Sequence, residues 1–124
     1  MTPAEFVKKS LLCGVTSLFP DSIDIVSVGG YRGFKEFLRQ TENLPMRFFH
    51  TIPGGLPVDQ KFSHGKTLSI EEEKQAIGLQ YVIGLGEVFS WIKVTKRDAK
   101  TIKSLKQMHA VSYTHLTLPT ILLV

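Results

Sequence analysis

Tyr81-Val82-Ile83-Gly84-Leu85-Gly86-Glu87-Val88-Phe89 is an apolar run that closes on Gly-Leu-Gly-Glu, and it sets the architecture expected of this chain. A strand with one face in water alternates apolar and polar residues. A parallel strand covered on both faces reads instead as a near-continuous apolar run. The same texture recurs at residues 14–19 and 46–52. These runs predict about three parallel strands buried between helices.

The stretches between them carry helical signals. Thr2, Pro3 and Glu5 make a capping box with proline in the first turn, and Phe6, Val7, Ser10 and Leu11 continue a short amphipathic helix to near Gly14. Tyr31, Phe34, Phe37 and Leu38 recur at helical spacing and predict a helix to about Glu42. Ser69 and Glu72 form a second capping box. Thr95-Lys96-Arg97-Asp98 opens a last helix, with Ala99, Ile102 and Leu105 expected on its inner face. Residues 21–29 are ambiguous, because Ile23, Ile25, Val26 and Val28 favour a strand by propensity until Gly29-Gly30 breaks it. Strands alternating with helices predict an α/β fold with a parallel sheet.

Composition narrows the possibilities. The chain has 124 residues and a formal net charge of +4, with much of the excess in Lys93, Lys96, Arg97, Lys100, Lys103 and Lys106. A nucleic-acid binder is usually more basic. The late helix also has an apolar face and no aromatic platform, so a solvated exterior helix is the preferred reading over a phosphate-binding one. No apolar run approaches the roughly 20 residues of a membrane span. Lys8 and Lys9 before residues 11–19 do not make a signal peptide, since Gly14, Thr16 and Ser17 interrupt the apolar part. The single cysteine, Cys13, permits no internal disulfide, which fits a reducing, cytoplasmic setting, and it is expected to pack as a small core residue.

Residues 111–124 break the pattern. The stretch 111–120 is a translation of GTC TCT TAT ACA CAT CTG ACG CTG CCG ACG, a string that resembles the adapter of a transposon-based sequencing library. The expected division is therefore 1–110 as catalytic-domain sequence and 111–124 as a non-native tail. A genuine terminal strand is the alternative.

Four stretches carry a resemblance. Thr2-Pro3-Ala4-Glu5-Phe6, Gly14-Val15-Thr16, Asn43-Leu44-Pro45 and Gly84-Leu85-Gly86-Glu87 resemble the adenine deaminase family of amidohydrolases, in the same order and at similar spacing. The resemblance covers nearly all of residues 1–110. It implies a partial (β/α)8 TIM barrel, with the site at the carboxyl ends of the strands. It also implies hydrolytic deamination of adenine to hypoxanthine and ammonia. In that chemistry a divalent metal (manganese, iron or zinc) lowers the pKa of a water, and an acid/base group moves the proton. The implied partner is a small purine, with no nucleic acid and no membrane, and the parent is expected to be a homo-oligomer.

The resemblance singles out two residues. Glu87 matches a family glutamate that resembles a metal ligand, whereas alone it would read as a solvent-facing or lysine-paired strand-end residue. Asp24 ends Asp21-Ser22-Ile23-Asp24, where the family has Asp-Pro-His-Glu. It keeps a carboxylate and is the candidate catalytic acid/base, while loop capping is the plain alternative. Ile23 replaces the histidine and can neither bind metal nor carry a proton. Residues 53–57 and 61–65 also depart from the family, keeping prolines and Gly65 but changing the polar groups. A sister amidohydrolase with another substrate is therefore an open alternative, as is a barrel piece without independent activity. The family's His-x-His pair would precede residues 2–6, and its later ligands would follow Ala110. Truncation at both ends is the expectation. His50 reads as a packed strand residue and His64 as a loop residue, so neither replaces those ligands.

Overall fold

The computed structural model of the chain describes residues 1–54, 65–88 and 91–109; Trp91 and residues 107–109 are described in backbone only. Its elements are α1 (Pro3–Leu12), β1 (Ser17–Leu18), α2 (Ile23–Thr41), β2 (Arg47–Phe48), β3 (His50–Gly54), α3 (Ile70–Ile77), β4 (Val82–Val88), α4 (Trp91–Thr95) and α5 (Ala99–His109). The tail from residue 111, and most of the long loop after Pro53, lie outside the described residues.

Every ladder among the described residues is parallel, as the apolar runs imply. Ser17 and Leu18 pair with Arg47 and Phe48, and the Asp21–Thr51 bridge continues the same register. On the other side β3 pairs with β4, with Thr51 opposite Gly84 and Ile52 opposite Leu85. Residues 47–54 are thus a single path, interrupted at Phe49, with a parallel neighbour on each edge.

Helices cover this path. Val26, Phe34, Ile52, Leu68, Ala76 and Leu85 form the main core, and Leu105 packs against it. A smaller cluster of Val7, Met46 and Phe48 seats α1. Both capping boxes form as the sequence indicates, with Thr2 and Glu5 closing α1 and Ser69 and Glu72 closing α3.

One open reading closes and two expectations need correction. Residues 23–29 are helical, despite their strand propensity. The Asp21 carboxylate accepts from the Ile23 N–H at 3.0 Å and starts the turn. Ser22, Val26, Gly30 and Phe34 then fall four apart and are all buried. One buried stripe at helical spacing outweighs local propensity. Gly30, at φ 62° and ψ −154°, divides α2 into two helical segments. Only glycine adopts that region freely, and the Lys66 side chain lies where a Cβ would point, 3.2 Å away.

The last helix is also reread. A short α4 precedes it, and Asp98 caps α5 by accepting from the Thr101 N–H at 2.9 Å. The inner face carries Thr101, Ser104 and Leu105, while Ala99 is exposed. The reason is polar. The buried Glu73 of α3 accepts from the Ser104 hydroxyl at 2.7 Å, so the serine turns inward. Cys13, finally, is exposed, because α1 ends on it and the chain turns away over Gly14 at φ 80°.

His50 is enclosed by Phe34, Phe37 and Phe48, and its Nε2 lies 2.9 Å from the Thr41 hydroxyl. That hydroxyl has one hydrogen, which points at the helix carbonyls of Leu38 and Phe37. Thr41 therefore accepts and His50 Nε2 donates, leaving Nδ1 as a buried acceptor without a partner. Burial lowers the His50 pKa from 6.5 to about 4.

A depressed histidine contributes stability above its unfolded value that is lost as pH falls through the folded one. The relevant window runs from 6.5 down to about 4. The full effect is on the order of 3 kcal/mol, at about 1.4 kcal/mol for each tenfold change in the protonation constant. Glu73 acts in the opposite sense. Burial raises its pKa, so its contribution is complete below 4.5 and lost as pH rises through the folded value. Urea denaturation should therefore show less stability at pH 5 than at pH 7 relative to His50→Phe, whose difference from the parent isolates the histidine.

Candidate functional site

In parallel α/β folds the loops at the carboxyl ends of the strands hold the chemistry, because successive strands bring their ends together there. On this chain that edge carries Asp21 after β1, Gly54 at the end of β3, and Glu87 near the end of β4. Asp24 follows in the first turn of α2.

Glu87 is exposed at this edge, as the sequence places it. Its local backbone adds something the sequence does not show. Ile52 pairs with Leu85 and Gly54 with Val88, so β4 gains one residue over β3 at Gly86-Glu87. Such a bulge re-aims a side chain, and bulges concentrate beside active sites. Leu85 points into the core at 3% exposure, while Glu87, two residues on, faces solvent. A regular strand would put both on one face.

Glycine at 86 is a packing requirement. A Cβ there would sit 2.8 Å from Thr51 Oγ1 and 3.3 Å from Thr51 Cβ. Thr51 is 5% exposed on the middle strand, and its hydroxyl donates to the Pro20 carbonyl at 3.2 Å. Sequence reasoning passed over Thr51, although the adjacent polar pair His50-Thr51 inside the run 46–52 was the available signal.

Asp21 and Asp24 are both exposed, and Asp21 caps the turn into α2. Between them Ser22 is fully buried, and its hydroxyl has no hydrogen-bond partner. His64 lies outside the described residues, as does the side chain of His109. His50 sits at the start of β3, bonded to Thr41, and belongs to the packing.

Among the described residues no group of three His, Cys, Asp or Glu side chains could hold a metal ion. The carboxylates present do not fit a divalent cation by themselves. A cavity of about 870 Å³ opens at the opposite edge, between Thr16, Thr41, Met46, Phe48, His50 and Tyr81. Its lining residues stand at the amino ends of the strands. They include one carboxylate, Glu42. Size alone does not make it the reactive edge.

Two substitutions test this geometry. Gly86→Ala drives a methyl group against Thr51 and should cost about 1–3 kcal/mol in urea denaturation, the range of overpacking. Ser22→Ala removes an unsatisfied buried hydroxyl and should be neutral or stabilising by up to ~1 kcal/mol in the same assay.

Comparison with known proteins finds relatives that share one name. The chain is 60% identical over 91 residues to an adenine deaminase of Cenarchaeum symbiosum, a match spanning 73% of the chain and 15% of that protein. It is 32% identical over 105 residues to the adenine deaminase of Listeria monocytogenes, covering 85% of the chain and 18% of the relative. It is 31% identical over 113 residues to that of Staphylothermus marinus, covering 88% and 19%. No family profile matches the chain, and no solved structure does. The chain is homologous to the adenine deaminases and corresponds to between 15% and 19% of the length of these relatives.

Proposed function

We propose that the chain is a segment of the (β/α)8 catalytic barrel of an adenine deaminase, a hydrolase that converts adenine to hypoxanthine and ammonia. The identity to the Cenarchaeum symbiosum protein, 60% over 91 residues, carries this reading. Parallel strands with helices between them are the repeating unit of such a barrel, and the acidic residues stand at the edge where its chemistry belongs.

In this reading Glu87, re-aimed by its bulge, is a ligand for a divalent cation such as manganese, iron or zinc. Such a cation supplies Lewis acidity that lowers the pKa of water. Asp24 is the candidate group for holding or passing a proton at the substrate. The substrate is a small purine, and the whole protein is a cytoplasmic homo-oligomer. No helix among the described residues is long and apolar enough to cross a membrane. A second reading, a barrel piece without independent activity, is favoured by the lack, among the described residues, of any group of three side chains that could hold a metal ion.

A chimera separates these readings. The 91 matched residues would replace their counterparts in the Cenarchaeum symbiosum enzyme, and ammonia release from adenine would be followed. Activity near that of the recipient is expected, and Glu87→Gln should lower it by about 100-fold or more. A folded chimera that releases no ammonia from adenine would reject the substrate, and full activity in Glu87→Gln would reject the ligand.

A further inference from the structure

We infer that Thr51 is a positioning residue whose hydroxyl sets the spacing between the Asp21–Asp24 turn and the Gly86–Glu87 bulge. The inference rests on the reading of that edge as the reactive one, and it deepens that reading. It names the part of this chain that holds its two acidic elements in register.

Three observations converge on one side chain. Thr51 lies on the middle path and pairs in parallel with Asp21 on one edge and Gly84 on the other. Its hydroxyl donates to the Pro20 carbonyl at 3.2 Å, which ties down the residue just before Asp21. The same oxygen lies 2.8 Å from where a Cβ on Gly86 would stand, so it faces the bulge closely enough to exclude a side chain there. A single buried oxygen therefore bonds to the backbone on one side of the gap between Asp24 and Glu87 and faces the glycine of the bulge on the other. Neither contact is made by either carboxylate, and Asp21 spends one of its oxygens on the Ile23 N–H. The two acidic groups thus hang from elements that Thr51 braces.

The geometry distinguishes bracing from filling. Valine has nearly the shape of threonine but no hydroxyl, so it preserves volume and removes the tie to Pro20. Serine keeps the tie and loses a methyl group. If Thr51 merely filled space, valine would be the milder change; if it sets the spacing, serine would be.

The test is a distance measurement on the chain itself, needing neither cation nor substrate. With Cys13→Ser to remove the exposed thiol, spin labels at Asp24→Cys and Glu87→Cys report their separation by pulsed dipolar spectroscopy. With Thr51 present the distribution should be narrow. Thr51→Val should at least double its width, while Thr51→Ser should leave it within the width of the parent. Equal distributions in all three, or broadening by serine as large as by valine, would overturn the proposal. Should Thr51→Val fail to fold by circular dichroism, Gly86→Ala takes its place. It presses on the same oxygen from the other side and must displace the distance, and an unchanged distance overturns the proposal. An inactive chimera with the spacing intact would sink the deaminase reading and leave this one standing.

Discussion

The structure depends on one path of backbone, residues 47–54, having a parallel partner along each edge and helices against it. A peptide chain with no access to water must find internal partners for its N–H and C=O groups. For a short segment the sheet ladder is the only arrangement that does so on both sides. Here β1 and the residues after it satisfy one edge, and β4 satisfies the other. Once that pairing is fixed, the outward faces must be apolar. Ile52 supplies the core contact, and α2, α3 and α5 pack over β3. The positions of the acidic residues follow from where these strands end.

Much of the framework was legible in the residues. Apolar runs located the strands because burial on both faces removes alternation, and two capping boxes located helix starts because their reciprocal hydrogen bonds are local. What stayed open or failed was non-local. The segment 23–29 has strand formers in it, and only its partners in space reveal the stripe from Ser22 through Val26 and Gly30 to Phe34. The face of α5 was misjudged because the attraction between Ser104 and Glu73 spans 31 residues of sequence. The candidate site shows the same division. Glu87 at a strand end was readable from Gly-Leu-Gly-Glu, but its bulge is a relation between two strands and is written in neither alone.

The two edges of the sheet have different characters. At the amino edge the side chains are bulky and aromatic, and the one titratable group deep among them, His50, is held neutral by enclosure. At the carboxyl edge glycines and short side chains dominate, with Gly54 lying 3.0 Å from Val88 at its missing Cβ and Gly86 against Thr51. Bulk at one edge stabilises the fold, while small residues at the other let backbones approach and leave carboxylates free to face outward. This segregation separates the groups that hold the chain together from those available for chemistry.

Gly30 has a consequence at the level of the gene. Its backbone angles exclude side chains, and the carbons of Lys66 occupy the direction a substituent would take. Every glycine codon is one base change away from alanine, valine and arginine. None of these can enter that conformation without strain. Point mutation at this codon therefore offers no mild intermediate, and drift along a lineage has to pass around the position through changes elsewhere in α2.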